Sequence, residues 1–256
     1  SPSSSRSGTD RGVASKALTF YARFAPSFTR IGYLARGLPL RSGGKSLAGQ
    51  SWLVTGATGG IGRALALSAA RRGARVIAVG RNAEKLKALA DEGRRQKEGG
   101  PFETIERDLS LVADNLSLAE EVGPLDALIN NVGNLPPEHR LTDLPPDRYN
   151  GFLAYAANKR AQLALADHWA ARVDAYTMHP GWVATQGVSD ALPWMDRWIG
   201  PLLRSPAQGA DTALWLASKR PKHAQGRIWF DRAARKTHHY DLTRNPRSSV
   251  EDVVAK

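Results

Sequence analysis

One stretch limits what this chain can fold into more than any other: a short apolar run that turns through glycine straight into helical spacing. Ser51-Trp-Leu-Val-Thr55 has the uncharged, β-rich character of a buried strand, and Gly56-Ala-Thr-Gly59-Gly60-Ile-Gly62 follows at once. Glycine lets a backbone turn through conformations closed to other residues and come within contact distance of a bound group. A helix opening at Ile61 aims free N–H groups and a positive dipole end into the same space. A glycine triplet alone is weak evidence, since any tight turn could use one. Here a strand precedes it, a helix follows and a second strand at Val76 to Val79 closes the unit. Thr55, Gly56, Thr58, Gly60, Ile61 and Gly62 therefore read as a cradle for a pyrophosphate.

The same grammar runs on. Strands are expected near 51–55, 74–79, 102–107, 125–130, 173–178 and 226–230, and helices near 61–72, 82–95, 112–121, 150–171 and 206–217. Strands alternating with helices imply an α/β fold, a single doubly wound parallel sheet covered on both faces, spanning 46–235. A chain of 256 residues suits one such domain. Residues 1–16 read as a disordered Ser-rich tail, 17–45 as a basic amphipathic N-terminal extension and 236–256 as a C-terminal tail.

The net charge of +12 would suggest nucleic acid if it were spread over the domain, and it is not. Residues 1–45 hold eight Lys/Arg against Asp10 and residues 219–256 hold ten against four acids, which leaves the middle one charge below neutral. With no groove-reading motif, no nucleic-acid partner is expected. In the extension Ala17, Tyr21, Phe24, Phe28, Ile31 and Ala35 recur at helical spacing among Arg23, Arg30 and Arg36. Such a helix either makes peripheral membrane contact through residues 17–38 or docks its apolar stripe on the domain. No run is long enough to span a bilayer, so the expected location is cytoplasmic, with membrane association left open. The absence of cysteine removes thiolate chemistry, and His238-His239 have no partner at metal-ligand spacing, so no metal is expected.

At the end of the second strand, where an acid would meet the ribose hydroxyls of NAD, stands Gly80-Arg81-Asn82. Arg81 could stack on adenine and pair with a 2′-phosphate, and Arg63 is near enough to help, so NADP is favoured over NAD. Thr55-Gly-Ala-Thr-Gly-Gly-Ile-Gly62, Asn130-Asn-Val-Gly133 and Tyr155-Ala-Ala-Asn-Lys159, in that order, resemble the short-chain dehydrogenase/reductases and their Rossmann domain. Tyr155 to Arg160, Met178 to Thr185 and Phe28 to Tyr33 resemble one branch of that family, the member-twelve branch. The resemblance covers about residues 17–235.

The resemblance implies that Asp108 and Leu109 cradle the adenine and that Asn130 braces the central sheet. It implies that Asn131, Val132 and Gly133 belong to the cofactor site and that Pro180, Gly181, Val183 and Thr185 border the nicotinamide. Tyr155 would exchange a proton with the substrate oxygen, while Lys159 would hold the nicotinamide ribose and lower the phenol's pKa. Four residues apart on one helix, the two side chains share a face, and an ammonium beside a phenol favours the phenolate. His179, next to Pro180, reads as structural.

One departure is large. Where the family carries a long helix, a further central strand and a catalytic Ser, residues 134–154 hold four prolines and no serine. Either the chain has a real internal deletion and a rearranged sheet, or the sequence closes over residues present in the molecule; intact motifs on either side favour the second. Beyond Thr185, the apolar stretch Leu192 to Leu203, with Trp194 and Trp198, lies where the family covers its substrate, which suggests a lipophilic carbonyl or alcohol. The leading expectation is an NADP-dependent oxidoreductase transferring hydride between nicotinamide and an apolar carbonyl or alcohol; the alternative is a catalytically silent dinucleotide-binding protein, a sensor or scaffold that could associate with a membrane. A homo-oligomer is compatible with either.

Overall fold

The computed structural model of the 256-residue chain describes residues 25–38, 45–96, 99–133, 151–191 and 197–237. Helix α1 (Arg30–Ala35) precedes the sheet. Strands β1 (Ser51–Thr55), β2 (Arg75–Gly80), β3 (Phe102–Glu106) and β4 (Ala127–Ile129) alternate with helices α2 (Gly60–Arg71), α3 (Ala83–Arg94) and α4 (Val112–Val122). Then come α5 (Gly151–Trp169), α6 (Gln186–Ala191), a 3-10 turn (Gly200–Leu202), α7 (Pro206–Lys219), β5 (Arg227–Phe230) and β6 (Ala233–Lys236). The first four strands pair in parallel in the order β3-β2-β1-β4.

Period-two alternation sorts the strand residues between two layers. Trp52 and Val54 of β1 and Val76 and Ala78 of β2 face α2 and α7, which meet through Ala66, Ala69, Ala70, Ala210 and Ala213. Side chains that small let two helices lie close on one sheet face. Leu53, Ile77 and Val79 point the other way, onto Leu118 of α4. Each fully buried aliphatic side chain in these layers contributes about 1.5–3 kcal/mol. The four strands and helices α2 to α5 and α7 stand where the sequence puts them, within two residues at each end.

Two expected strands behave differently. Residues 173–178 do not join the parallel sheet: Met178 makes one parallel bridge to Trp229, with Trp229 N–H donating to Thr177 O at 2.8 Å. The final strand, β5, pairs antiparallel with β6 instead of extending that sheet. Parallel neighbours must lie about 4.8 Å apart to share a ladder. No strand among the described residues stands between β4 and 173–178 to carry it across. The turn of the β5–β6 hairpin is Asp231-Arg232, both at positive φ (52° and 58°), the conformation a two-residue turn needs to match strand twist.

The gap leaves its mark on both sides. Leu128 of β4 pairs in register with Leu53, yet is 53% exposed while Leu53 is 2% exposed. Along α5, Ala166 is the one buried residue among those whose side chains are described.

For residues 25–38 the docked arrangement is the one observed. Thr29, Gly32, Tyr33 and Leu38 are buried, and the Trp182 N–H donates to Phe28 O at 2.9 Å. The Phe28 ring stacks on His179 with centroids 5.0 Å apart and meets Phe230 edge-on at 5.1 Å. Ile31 and Leu34 face outward, 53% and 49% exposed. Among the described residues no helix is long and apolar enough to cross a membrane. Residues 1–16, residues 17–24 and 39–44 of the extension, 134–150, Leu192 to Asp196 and 238–256, with His238-His239, lie outside the described residues.

Candidate active site

The C-terminal ends of β1 and β4 are tied together beyond their ladder by one threonine and one asparagine. Thr55 Oγ1 donates to Ile129 O (3.2 Å) and accepts from the N–H groups of Asn131 (3.0 Å) and Val132 (3.2 Å). Asn131 Nδ2 donates back to Thr55 O (3.1 Å) and Gly56 O (3.3 Å). The bracing side chain is therefore Asn131 and not Asn130, which is exposed: at the strand end, alternation turns Asn131 toward β1.

Those bonds bring Asn131, Val132 and Gly133 beside the glycine turn. Gly56 sits at φ +62°, and a Cβ on Gly62 would lie 2.3 Å from Gly56 O and 2.5 Å from Asn131 Nδ2, so no side chain fits there. Helix α2 opens at Gly60 behind Gly59, whose lack of a side chain leaves the first N–H groups uncapped by it. Thr58 reaches β2, its Cγ2 lying 2.6 Å from where a Cβ on Gly80 would stand. Ile61 is half-buried against the α2–α7 layer.

At the end of β2, Arg81 lies 3.8 Å from Asp108, and both side chains are largely exposed. The Ser110 N–H donates to Asp108 Oδ1 at 3.0 Å, and the Ser110 bonds hold that carboxyl below its usual range. Leu109 packs against the Leu53 layer. Arg63 pairs with Glu92 of α3 in this structure, so the help expected from it toward a 2′-phosphate is not what its side chain does here.

At the other end, the chain returns across the turn. Thr185 Cγ2 lies 3.0 Å from where a Cβ on Gly60 would be, and Thr185 Oγ1 accepts from the Val188 N–H (3.3 Å), starting α6. Val183 is buried, its Cγ2 2.7 Å from a Cβ position on Gly209 of α7. Gly181 is at φ +80°, and its N–H donates to His179 Nδ1 at 3.0 Å. That nitrogen is consequently unprotonated, and burial followed by the Arg204 charge pulls the His179 pKa down to about 4.

Tyr155 and Lys159 share one face of α5, with Lys159 Nζ 5.6 Å from the Tyr155 ring centroid and donating to Gln162 Oε1 at 3.1 Å. Lys159 Nζ also stands 3.5 Å from a Cβ position on Gly133, so α5 and the end of β4 meet at this pair. The expected lowering of the phenol does not occur here. Burial raises the Tyr155 pKa and lowers that of Lys159. The ammonium stands 5.6 Å from the ring centroid, and desolvation is what raises the phenol.

Sequence reasoning passed over Arg204 and Asp231. Both are buried, and they form a two-point ion pair at 2.6 and 2.9 Å behind Gly181. No spacing or motif marks them: Arg204 follows an apolar run and Asp231 occupies a hairpin turn with no glycine in it.

Comparison with known proteins agrees with this geometry. The short chain dehydrogenase family pattern matches residues 50–149. Dehydrogenase/reductase SDR family member 12 of Bos taurus is 30% identical, over 80% of this chain and 83% of the bovine protein. This chain belongs to the short-chain dehydrogenase/reductase family. The human member 12 is 40% identical over 128 residues, 47% of this chain and 40% of the human protein. The L-sorbose reductase of Gluconobacter frateurii, solved with NADPH and L-sorbose, superposes with a TM-score of 0.60 at 18% identity, over 72% of this chain and 95% of that one. A hydroxysteroid dehydrogenase from Escherichia coli gives 0.58 at 21%, over the same shares. At those identities the two structures establish the α/β Rossmann fold.

The alignments also measure the internal gap. The bovine match runs over 264 positions but uses 80% of 256 residues, about 205, so about 59 positions have nothing of this chain opposite them. A Streptomyces protein described as a daunorubicin C-13 ketoreductase is matched over 228 positions with 67% of this chain, leaving about 57. Each of these two relatives thus has about that many positions with nothing of this chain opposite them. The family pattern stops at residue 149, before Tyr155, which agrees with a loss just ahead of α5.

Proposed function

We propose that this chain binds NADP(H) across the C-terminal ends of β1, β2 and β4 and transfers hydride between nicotinamide and an apolar carbonyl or alcohol carbon. The observation that carries the reading is convergence: Gly60 meets Thr185 and Gly133 meets Lys159, so the phosphate turn, the β4 motif and α5 border one space. The residues present suit a dinucleotide. The glycine turn and the start of α2 suit its pyrophosphate, the Arg81–Asp108 edge its adenosine, and Lys159 with Pro180, Gly181, Val183 and Thr185 its nicotinamide half. Bound there, the nicotinamide supplies or accepts the hydride.

In the reducing direction the Tyr155 hydroxyl gives its proton to the substrate oxygen as the carbonyl carbon gains hydride. A phenol raised by burial is protonated at neutral pH, ready to act as that acid. Lys159 orients the ribose and offsets the charge left on the phenolate. Arg81, largely exposed at the end of β2, supplies the charge for a 2′-phosphate and favours NADP over NAD. The serine that holds the substrate oxygen in relatives has no counterpart, and one missing donor of that kind costs about 10²- to 10³-fold in rate. Exposed Trp198 suits a lipophilic substrate, and Ile31 and Leu34 beside Arg30 suit peripheral contact with an acidic membrane surface, which vesicle co-sedimentation would show.

Thermal shift with NADPH and NADH, followed by NADPH oxidation with apolar ketones and aldehydes, tests the main reading. NADPH should stabilise more than NADH, Arg81→Ala should erase that difference, and Tyr155→Phe should abolish turnover without removing the NADPH shift. Stabilisation without turnover on any carbonyl would leave a silent dinucleotide-binding protein. No shift with either nucleotide would overturn both.

A further inference from the structure

The segment that crosses the phosphate turn lacks the support a strand ladder would give it. Among the described residues, Thr177 to Thr185 form two isolated bridges, Met178 with Trp229 and Val183 with Arg204. The second is closed by Arg204 N–H donating to Trp182 O at 2.7 Å and Ala184 N–H donating to Arg204 O at 2.9 Å. The Arg204 side chain, 1% exposed, then uses all five of its N–H donors. Nε donates to Thr29 O (3.3 Å), Nη1 to Pro180 O (3.3 Å) and Asp231 Oδ1 (2.6 Å), and Nη2 to Ser27 O (3.0 Å) and Asp231 Oδ2 (2.9 Å). Arg36 of the extension also donates to Asp231 Oδ2, at 2.6 Å.

Resting on the NADP(H) reading of the site, we propose that Arg204 is a positioning residue that locks Pro180 to Thr185 across the phosphate turn, in a cage completed by Ser27 and Thr29 of the N-terminal extension. The lock acts from behind. Gly181 has no side chain because Arg204 Nε lies 2.5 Å from where a Cβ would stand, so the backbone rests directly on the guanidinium. Three carbonyls and a carboxylate from three separate stretches meet on one planar cation, and a lysine has neither the donor count nor the fork to replace it. The extension is thereby part of the frame of the nicotinamide half, while the adenosine half, at Arg81 and Asp108, is untouched by it.

Titration calorimetry of NADPH and of adenosine 2′,5′-bisphosphate against the full chain, Arg204→Lys and Gly181→Ala separates the possibilities. Gly181→Ala keeps every charge and donor but forces the segment off the guanidinium, so it serves if Arg204→Lys fails to fold. NADPH binding should weaken at least about ten-fold in the variants, and adenosine 2′,5′-bisphosphate binding should stay within about two-fold, since only the preorganised nicotinamide half is lost. Equal weakening of both ligands would make Arg204 merely structural and overturn the proposal. Unchanged NADPH affinity would overturn it as well. If the unaltered chain bound neither ligand, the NADP(H) reading itself would fall.

Discussion

Burial more than anything else keeps His179 neutral. Its Nδ1 accepts from the Gly181 N–H, and burial together with the neighbouring Arg204 charge, against the opposing pull of Asp231, brings its pKa from 6.5 to about 4. The unfolded chain therefore binds a proton that the folded one refuses between those two values. Stability from this group is complete above pH 6.5 and is lost as pH falls toward 4, by at most about 1.4 kcal/mol per pH unit and about 3 kcal/mol in all. Urea denaturation of the chain and of His179→Gln across pH 7.5 to 4.5 checks this: the variant should show the shallower loss. His179 reads in the sequence as structural, and its surroundings bear that out. Asn131, by contrast, took over the bracing expected of Asn130, because only the pleat decides which of two adjacent asparagines turns toward β1.

At the level of elements, the consequence of the gap sits on β4. Its Leu128 occupies the register position beside Leu53 on the α4 side of the sheet, but more than half of it remains exposed. Leu53→Ala should cost about 2–5 kcal/mol, as cavity-forming changes in a packed core do, and Leu128→Ala less than about 1 kcal/mol. Equal costs in chemical denaturation would show that something covers that face. The hairpin β5–β6 tells a related story. Its sequence carries no turn glycine, yet Asp231 and Arg232 adopt left-handed backbone conformations because Asp231 is fixed by Arg204 and Arg36, and Arg232 by Asp211. Tertiary ion pairs impose a turn that local propensity would not choose.

For the whole molecule, the missing stretch is the dominant fact. Replacing residues 134–150 with the corresponding longer segment of the bovine relative tests whether that segment can bridge β4 and 173–178 and add a donor for the substrate oxygen. Such a chimera is expected to melt at a higher temperature and to turn over about 10²- to 10³-fold faster. A chimera no more stable than the parent would mean that the gap beside β4 is not the weak point.

The strand–turn–helix unit, the parallel pairing of the first four strands, and the Tyr155–Lys159 pair on one helix face were all legible in the sequence. Each depends on spacing within a few residues: a glycine that no side chain can replace, a period of two, a helical turn of four. The docking of the extension, the Arg204–Asp231 cage, the single bridge at Met178 in place of a ladder at 173–178 and the upward pull on Tyr155 were decided by tertiary structure alone. They join residues far apart in the chain, as Ser27, Pro180, Arg204 and Asp231 are, and the energies involved, desolvation and charge pairing in the interior, exist only once those segments have met.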